Sequence, residues 1–156
     1  MFVRILLIIK KGDFPMTVNV YMIFNGNCEE AVAYYAKVFD TEPAELSRFG
    51  DMPSEPGQEM PEEMKNRIMH ASLDIHGSAV MFSDAMSDAP IPLGKNINVT
   101  VISDDLKKMT KEFNQLGQDG KVQMELQETF WSLGYGIVED KYGIDWMFSH
   151  DDGRAG

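Results

Sequence analysis

The chain has 156 residues and a mass of 17.6 kDa, enough for one domain with a real core, and its 14 basic against 25 acidic residues leave a net charge of -11. That balance excludes a nucleic-acid footprint and an anionic-membrane footprint, because both need clustered lysine and arginine. A single cysteine, Cys28, excludes an internal disulfide framework and a multi-cysteine zinc site, no apolar run reaches a membrane span, and the composition reads as that of a cytoplasmic protein.

Residues Met1 to Ile9 are apolar except for Arg4, and Lys10 and Lys11 follow that run instead of preceding it. With no small-residue cleavage site, this is not the pattern of a secretory signal. Lys11-Gly12-Asp13 can be encoded as a purine run like a bacterial ribosome-binding site, a short distance before Met16. Two readings follow: residues 1–15 are translated leader ahead of a true start at Met16, or Phe2 to Ile9 form an extra strand. The mass of the untagged native protein separates them.

From Asn19 onward the chain repeats itself. Asn19 to Phe24 and Asn96 to Val101 both alternate as strands. A polar turn and a helix cap are expected after each, Asn27 in one and Asp104 in the other, with Glu30 completing a capping box in the first. The first helix is predicted from Cys28 to Phe39, with Ala31, Val32, Tyr35, Val38 and Phe39 on its apolar stripe. The second is predicted from Asp105 to Leu116, ended by Gly117. Short strands are expected at Ala44–Phe49 and Val122–Leu126, and longer ones at Ile68–Ile75 and Tyr135–Glu139. The final strands carry the clearest repeat, Gly77-Ser78-Ala79-Val80-Met81-Phe82-Ser83 against Gly143-Ile144-Asp145-Trp146-Met147-Phe148-Ser149. Gly50 to Asn66, with Pro53, Pro56, Pro61 and five acids, reads as an acidic loop.

Several stretches carry a family resemblance. Tyr21 to Ala31 (YMIFNGNCEEA), His70-Ala71, Met81 to Met86 (MFSDAM), Glu128 to Trp131 (ETFW) and Gly136 to Met147 (GIVEDKYGIDWM) resemble the PhnB-like branch of the vicinal oxygen chelate superfamily, over roughly Val18 to Phe148. Other members of that superfamily are glyoxalase I, extradiol dioxygenases and bleomycin-binding proteins. The resemblance implies an α+β fold of two βαβββ modules forming a cup, with helices outside. It implies one domain over 16–150, with modules at about 17–86 and 95–150, and a homodimer, the modules pairing either within one chain or across two. Some relatives carry a methyltransferase label; the Gly134-x-Gly136 pair here lacks a third glycine and leads into a strand, not a helix.

On that fold, alternation sorts the side chains. Met69, Ala71, Leu73 and Ile75 face the helix, and His70, Ser72 and Asp74 face the cup with Ala79, Met81 and Ser83. Ile97, Val99 and Val101 face outward; Asn96, Asn98 and Thr100 face in, as do Asn19, Tyr21, Ile23, Asp145, Met147 and Ser149. The resemblance places the family's metal ligands at Asn19, Met81, Asn96 and Met147. Amide and thioether groups are not what divalent first-row metals select. The reading is therefore a cup without a dedicated metal, lined for ligand binding by Asn19, Tyr21, Ser72, Met81, Asn96, Asn98, Trp131 and Met147. A site built on His70 with Asp74 or Asp145 is the alternative.

His70 is the one histidine expected to line the cup, where an imidazole serves as acid/base or as a sheet hydrogen-bonding group near Ser72 and Ser83. His76 is expected in a solvated turn and His150 in a polar tail. Cys28 reads as a small structural side chain. Phe130 and Trp131 read as a pocket mouth, a partner contact or local packing. Arg48 reads either as an anion anchor or as a surface ion pair. The functional expectation is a binder of a small organic molecule, cationic or aromatic. Its alternatives are a metal-dependent lyase, isomerase or dioxygenase, a drug-sequestering binder, and a metal-free enzyme with His70 as base.

Overall fold

The computed structural model describes residues 18–53, 57 and 59–153, so both readings of residues 1–15 lie outside the described residues. Two four-stranded sheets with the same topology account for the two halves. In the first, β1 (Val20–Phe24) leads into helix α1 (Cys28–Phe39), then β2 (Ser47–Arg48), a 3-10 turn (Phe49–Asp51), a short helix α2 (Glu62–Lys65), β3 (Ile68–Ile75) and β4 (Ser78–Asp84). The second holds β5 (Val99–Ser103), helix α3 (Leu106–Asp119), β6 (Lys121–Gln127), β7 (Tyr135–Glu139) and β8 (Asp145–His150). Strand orders are β1-β4-β3-β2 and β5-β8-β7-β6, with the first pair of each parallel and the rest antiparallel. This is the expected α+β arrangement of two βαβββ units.

Each sheet buries one face under its helix. Met22, Phe24, Ala71, Leu73, Ile75, Val80 and Phe82 meet the α1 stripe of Ala31, Val32, Tyr35, Val38 and Phe39. In the second sheet Val101, Val138, Trp146 and Phe148 meet Met109, Phe113 and Leu116 of α3. The halves share one core: the ring of Trp146 lies 5.0 Å from Phe39 and 5.6 Å from Tyr35. Burying an aromatic ring of this size stabilises by roughly 2–3 kcal/mol each, which is why the interface between the halves is aromatic.

The helix ends differ from expectation. Asn27 makes no side-chain cap bond. The α1 amides are met instead by Asp84 at the end of β4, whose Oδ1 accepts from the N–H of Gly26 at 2.8 Å and of Cys28 at 3.0 Å, while Oδ2 accepts from Ile68 at 2.9 Å. A carboxylate outcompetes a neutral amide for this place, because it satisfies several donors and complements the positive end of the helix. At α3 the cap is Asp105, one residue after Asp104, accepting from Lys108 N–H at 2.9 Å. Gly117 lies inside α3 and the helix ends at Gly120, where a Cβ would lie 2.1 Å from the Glu139 carbonyl oxygen.

Other boundaries shift too. β2 is two residues long, not six, and β5 starts at Val99, leaving Ile97 exposed in the connection. The 50–66 loop contains α2 and part of the 3-10 turn. The connection between the halves, residues 85–98, is pinned at both ends. Buried Arg67 donates to the carbonyls of Ala85 at 2.6 Å and Ser87 at 3.1 Å and pairs with Asp88. Lys95 pairs with Glu139 at 2.6 Å and Asp145 at 3.2 Å.

Candidate functional site

The sheet faces turned away from the helices carry most of the expected site residues, and the pairing registers set them in rows. In the first sheet Tyr21, Met81 and Ser72 stand directly across from one another on β1, β4 and β3. Ile23 pairs with Ser83 in the next row, and the ring of His70 lies 6.2 Å from that of Tyr21. Tyr21 is 46% exposed and Ile23 55%, against 6% for Met22 between them, so this face is open. In the second sheet Thr100, Met147 and Ile137 form the matching row. Tyr135 donates its hydroxyl to the Met147 sulfur at 3.3 Å, Trp131 lies edge-on to Tyr135 at 5.4 Å, and Phe130 lies on Trp131 at 4.5 Å.

The structure thus gathers the expected residues into groups, not into one pocket of a single chain. His70 and Ser72 open into a cavity of about 650 Å³ at the outer edge of the first sheet, with Asp74, His76, Lys108 and residues 39–45. Asn19 and Asn98 meet along a groove of about 330 Å³ between the edges of β1 and β5. Asn96 lies before β5 in the exposed connection and joins neither group.

Among the described residues, no three His, Cys, Asp or Glu side chains converge in a way that could hold a metal ion. The four positions where the family's ligands fall hold two amides and two thioethers, and the Met147 thioether already accepts a phenol hydrogen bond. The donor set does not fit a divalent first-row metal. The alternative built on Asp145 is also occupied, since its Oδ1 accepts from Lys95 at 3.2 Å and from Gln123 at 2.8 Å. Hydrogen bonding to Lys95 holds the neighbouring Glu139 carboxyl below its ordinary range, and Glu139 in turn raises Lys95.

One histidine leaves its expected place and another gains a partner. His76 sits in the expected exposed turn, but its side chain folds back, with Nε2 2.8 Å from Oε2 of Glu112, a carboxylate 2% exposed on α3. Burial pushes the Glu112 carboxyl up, opposed by His76. His150 ends β8 instead of lying in a tail; it is buried, with Nδ1 3.0 Å from the Ser103 carbonyl oxygen. Arg48 makes the surface pair, with both Glu29 oxygens at 2.8 Å, and also donates to the Asn66 carbonyl. Gly134 and Gly136 serve packing: an added Cβ would lie 2.7 Å from the Leu106 side chain or 2.9 Å from that of Phe113.

Sequence reading missed Tyr135, Lys108 and the Glu112 partner of His76. Tyr135 was detectable, because the repeat sets it where His70 stands in the first half. The other two had no signal, since Lys108 reaches the first-half cavity from the second half.

The family model described as 3-demethylubiquinone-9 3-methyltransferase matches residues 16–149. The protein YjdN of Escherichia coli K12 is 35% identical over 144 residues, covering 86% of this chain and 95% of that one. The crystal structure of PA1353 from Pseudomonas aeruginosa is similar at 33% identity and a TM-score of 0.74, over 88% of this chain and 98% of that one. A glyoxalase/bleomycin resistance protein/dioxygenase family enzyme from Burkholderia phytofirmans shares the fold alone, at 12% identity and a TM-score of 0.55, over 85% and 95% of the chains. With its match along nearly the whole length, the chain belongs to the PhnB-like family that the family model describes, and its repeated βαβββ units share the fold of the glyoxalase/bleomycin resistance/dioxygenase proteins.

Proposed function

We propose that this protein binds a small organic molecule, cationic or aromatic, between the open faces of its sheets, without a dedicated metal, and that a second copy of the chain completes the cup. The observation that carries this reading is the row Tyr21–Met81–Ser72 beside His70, matched by Met147, Tyr135 and Trp131 on the second sheet. Thioethers and aromatic rings make a soft apolar lining, and a few hydroxyl and imidazole groups orient what lies on it. The net charge of -11 favours a cation over an anion. Exposed Tyr21, Ile23 and Ile102 on these faces support a homodimer, since each is an apolar side chain left in water by one chain alone. The methyl transfer named in the family description finds no support in the glycine pair, which α3 packs against.

Thermal unfolding of chelator-treated protein tests the reading. The panel is 1-methylquinolinium, neutral quinoline, naphthalene-2-sulfonate, S-adenosylmethionine and the ions of nickel, zinc and manganese. A saturable rise with the quinolinium, absent in Met81→Asp with an unchanged basal midpoint, is the expected result. A rise with one metal alone points instead to lyase, isomerase or dioxygenase chemistry, and a rise with S-adenosylmethionine to methyl transfer. Sedimentation of the apoprotein as a monomer overturns the shared cup.

A further inference from the structure

The repeat exposes a strand position that one half fills and the other leaves open. Matching Met81 to Met147 through the final strands aligns Asp74 with Glu139, Leu73 with Val138, Ser72 with Ile137 and His70 with Tyr135. In the second half β6 runs alongside all of these: Lys121 stands opposite Glu139, Val122 opposite Val138, Met124 opposite Ile137 and Gln127 opposite Tyr135. In the first half β2 meets β3 only at Ser47 opposite His70 and Arg48 opposite Ile68. Among the described residues no strand is paired with the outer edge of Ser72–Ile75, because residues 41–46 run as irregular chain. The 650 Å³ cavity lies there, between that segment and β3.

Backbone N–H and C=O groups along a strand edge are a template for another extended chain. The cavity is rimmed by Asp40, Glu42, Glu45 and Asp74, against Lys108 and two histidines. The protein itself shows what chemistry suits such a place, since its own occupant in the other half sets a lysine opposite an acid, Lys121 opposite Glu139.

We infer that the outer edge of β3 is a docking site for a basic, extended peptide that pairs antiparallel with Ser72–Ile75, in the position β6 takes in the second half. The inference goes beyond ligand binding on the open sheet faces and does not depend on it. Glu42 and Glu45 meet the cationic side chains, and the backbone pairing supplies register.

The test uses the full chain and a fluorescently labelled, end-capped peptide with the sequence of residues 121–126 carrying E125K. Expected are saturable binding by fluorescence anisotropy and slowed amide hydrogen exchange confined to Ser72–Ile75. The same peptide carrying V122P, which removes a backbone donor, binds at least about tenfold more weakly. So does wild-type peptide to the Glu42→Lys, Glu45→Lys double variant, whose thermal midpoint and quinolinium response stay unchanged. No saturable binding overturns the inference, and the acids then serve to keep a free edge soluble. Equal binding of the proline peptide, or full displacement by butylammonium, overturns backbone pairing and leaves a pocket for small cations. Peptide binding that converts dimer to monomer shows that a second copy already holds the edge, and overturns it as well.

Discussion

The hydroxyl of Tyr35, on the helix of the first half, donates to Oδ2 of Asp140 in the second half at 2.7 Å, and the indole of Trp146 donates to the same oxygen at 2.8 Å. Oδ1 accepts from the N–H of Tyr142 at 2.8 Å and of Ile144 at 3.0 Å. Asp140 is buried, so four donors are satisfied by one carboxylate that water does not reach. Burial also keeps the Tyr35 phenol well above its ordinary pKa, so it remains a donor at any working pH.

Removing one donor and removing the acceptor therefore have unequal consequences. Tyr35→Phe is expected to cost about 1–3 kcal/mol, and Asp140→Ala clearly more, because it strands several buried donors at once. Urea unfolding of both variants checks this. Equal losses would mean that Asp140 acts through Tyr35 alone.

Asp84→Ala should loosen a particular corner. It leaves the N–H groups of Gly26, Cys28 and Ile68 without their acceptor. A loss of about 2 kcal/mol or more is expected. Hydrogen exchange at Cys28 and Ile68 should quicken beyond the global change, while Leu116 in α3 follows the global change alone.

Glu112 sets a pH dependence with a defined sign. Its folded pKa is raised by burial, so the folded state holds that proton at pH values where the unfolded state has released it. Its contribution to stability is present below the unfolded carboxylate range and falls as pH rises through the raised folded value. Glu112→Gln removes that titration. The stability of the variant relative to wild type should therefore increase from pH 4 towards neutrality. A relative stability that is flat or falls over that window contradicts the assignment.

Cys28 should be inert in the folded protein. Burial, with Asp84 and Glu29 nearby, pushes its thiol up to about 12. A disulfide reagent at pH 8 should label it only on unfolding, in step with the loss of structure. Labelling of native protein at the rate of a free peptide thiol would show that the α1 start opens readily.

Where the signal was local, residues and structure agree closely. The alternation in Ile68–Ile75 and Tyr135–Glu139 marks both strands to the residue, because a sheet buried on one face admits a single register. The α1 stripe is equally plain. Where the partner is distant in sequence, reading fails. Asn27 looks like a cap, but the acceptor that wins is Asp84, 56 residues beyond Cys28. His76 sits at φ 52 beside Gly77 at φ 80, as a tight hairpin turn requires, and that local logic says nothing of a carboxylate arriving from α3. The candidate site was legible as faces and rows. Its division into an inner face, an edge cavity and a strand groove follows from β2 being short and from how the halves dock, neither of which is written in periodicity.

The bond from Tyr35 to Asp140 also bears on how a duplicated chain ages. Two copies of one ancestral unit begin as interchangeable parts. Here Leu73, Asp74 and Ile75 stand where the second half has Val138, Glu139 and Asp140, so the first half has no carboxylate at the place of Asp140. A chain assembled from two first halves would leave the tyrosine hydroxyl buried without an acceptor, and one assembled from two second halves would have no such hydroxyl, because Phe113 is the eighth residue of α3 as Tyr35 is of α1. At this bond each half holds a group that the other lacks, so neither half can stand in for the other there.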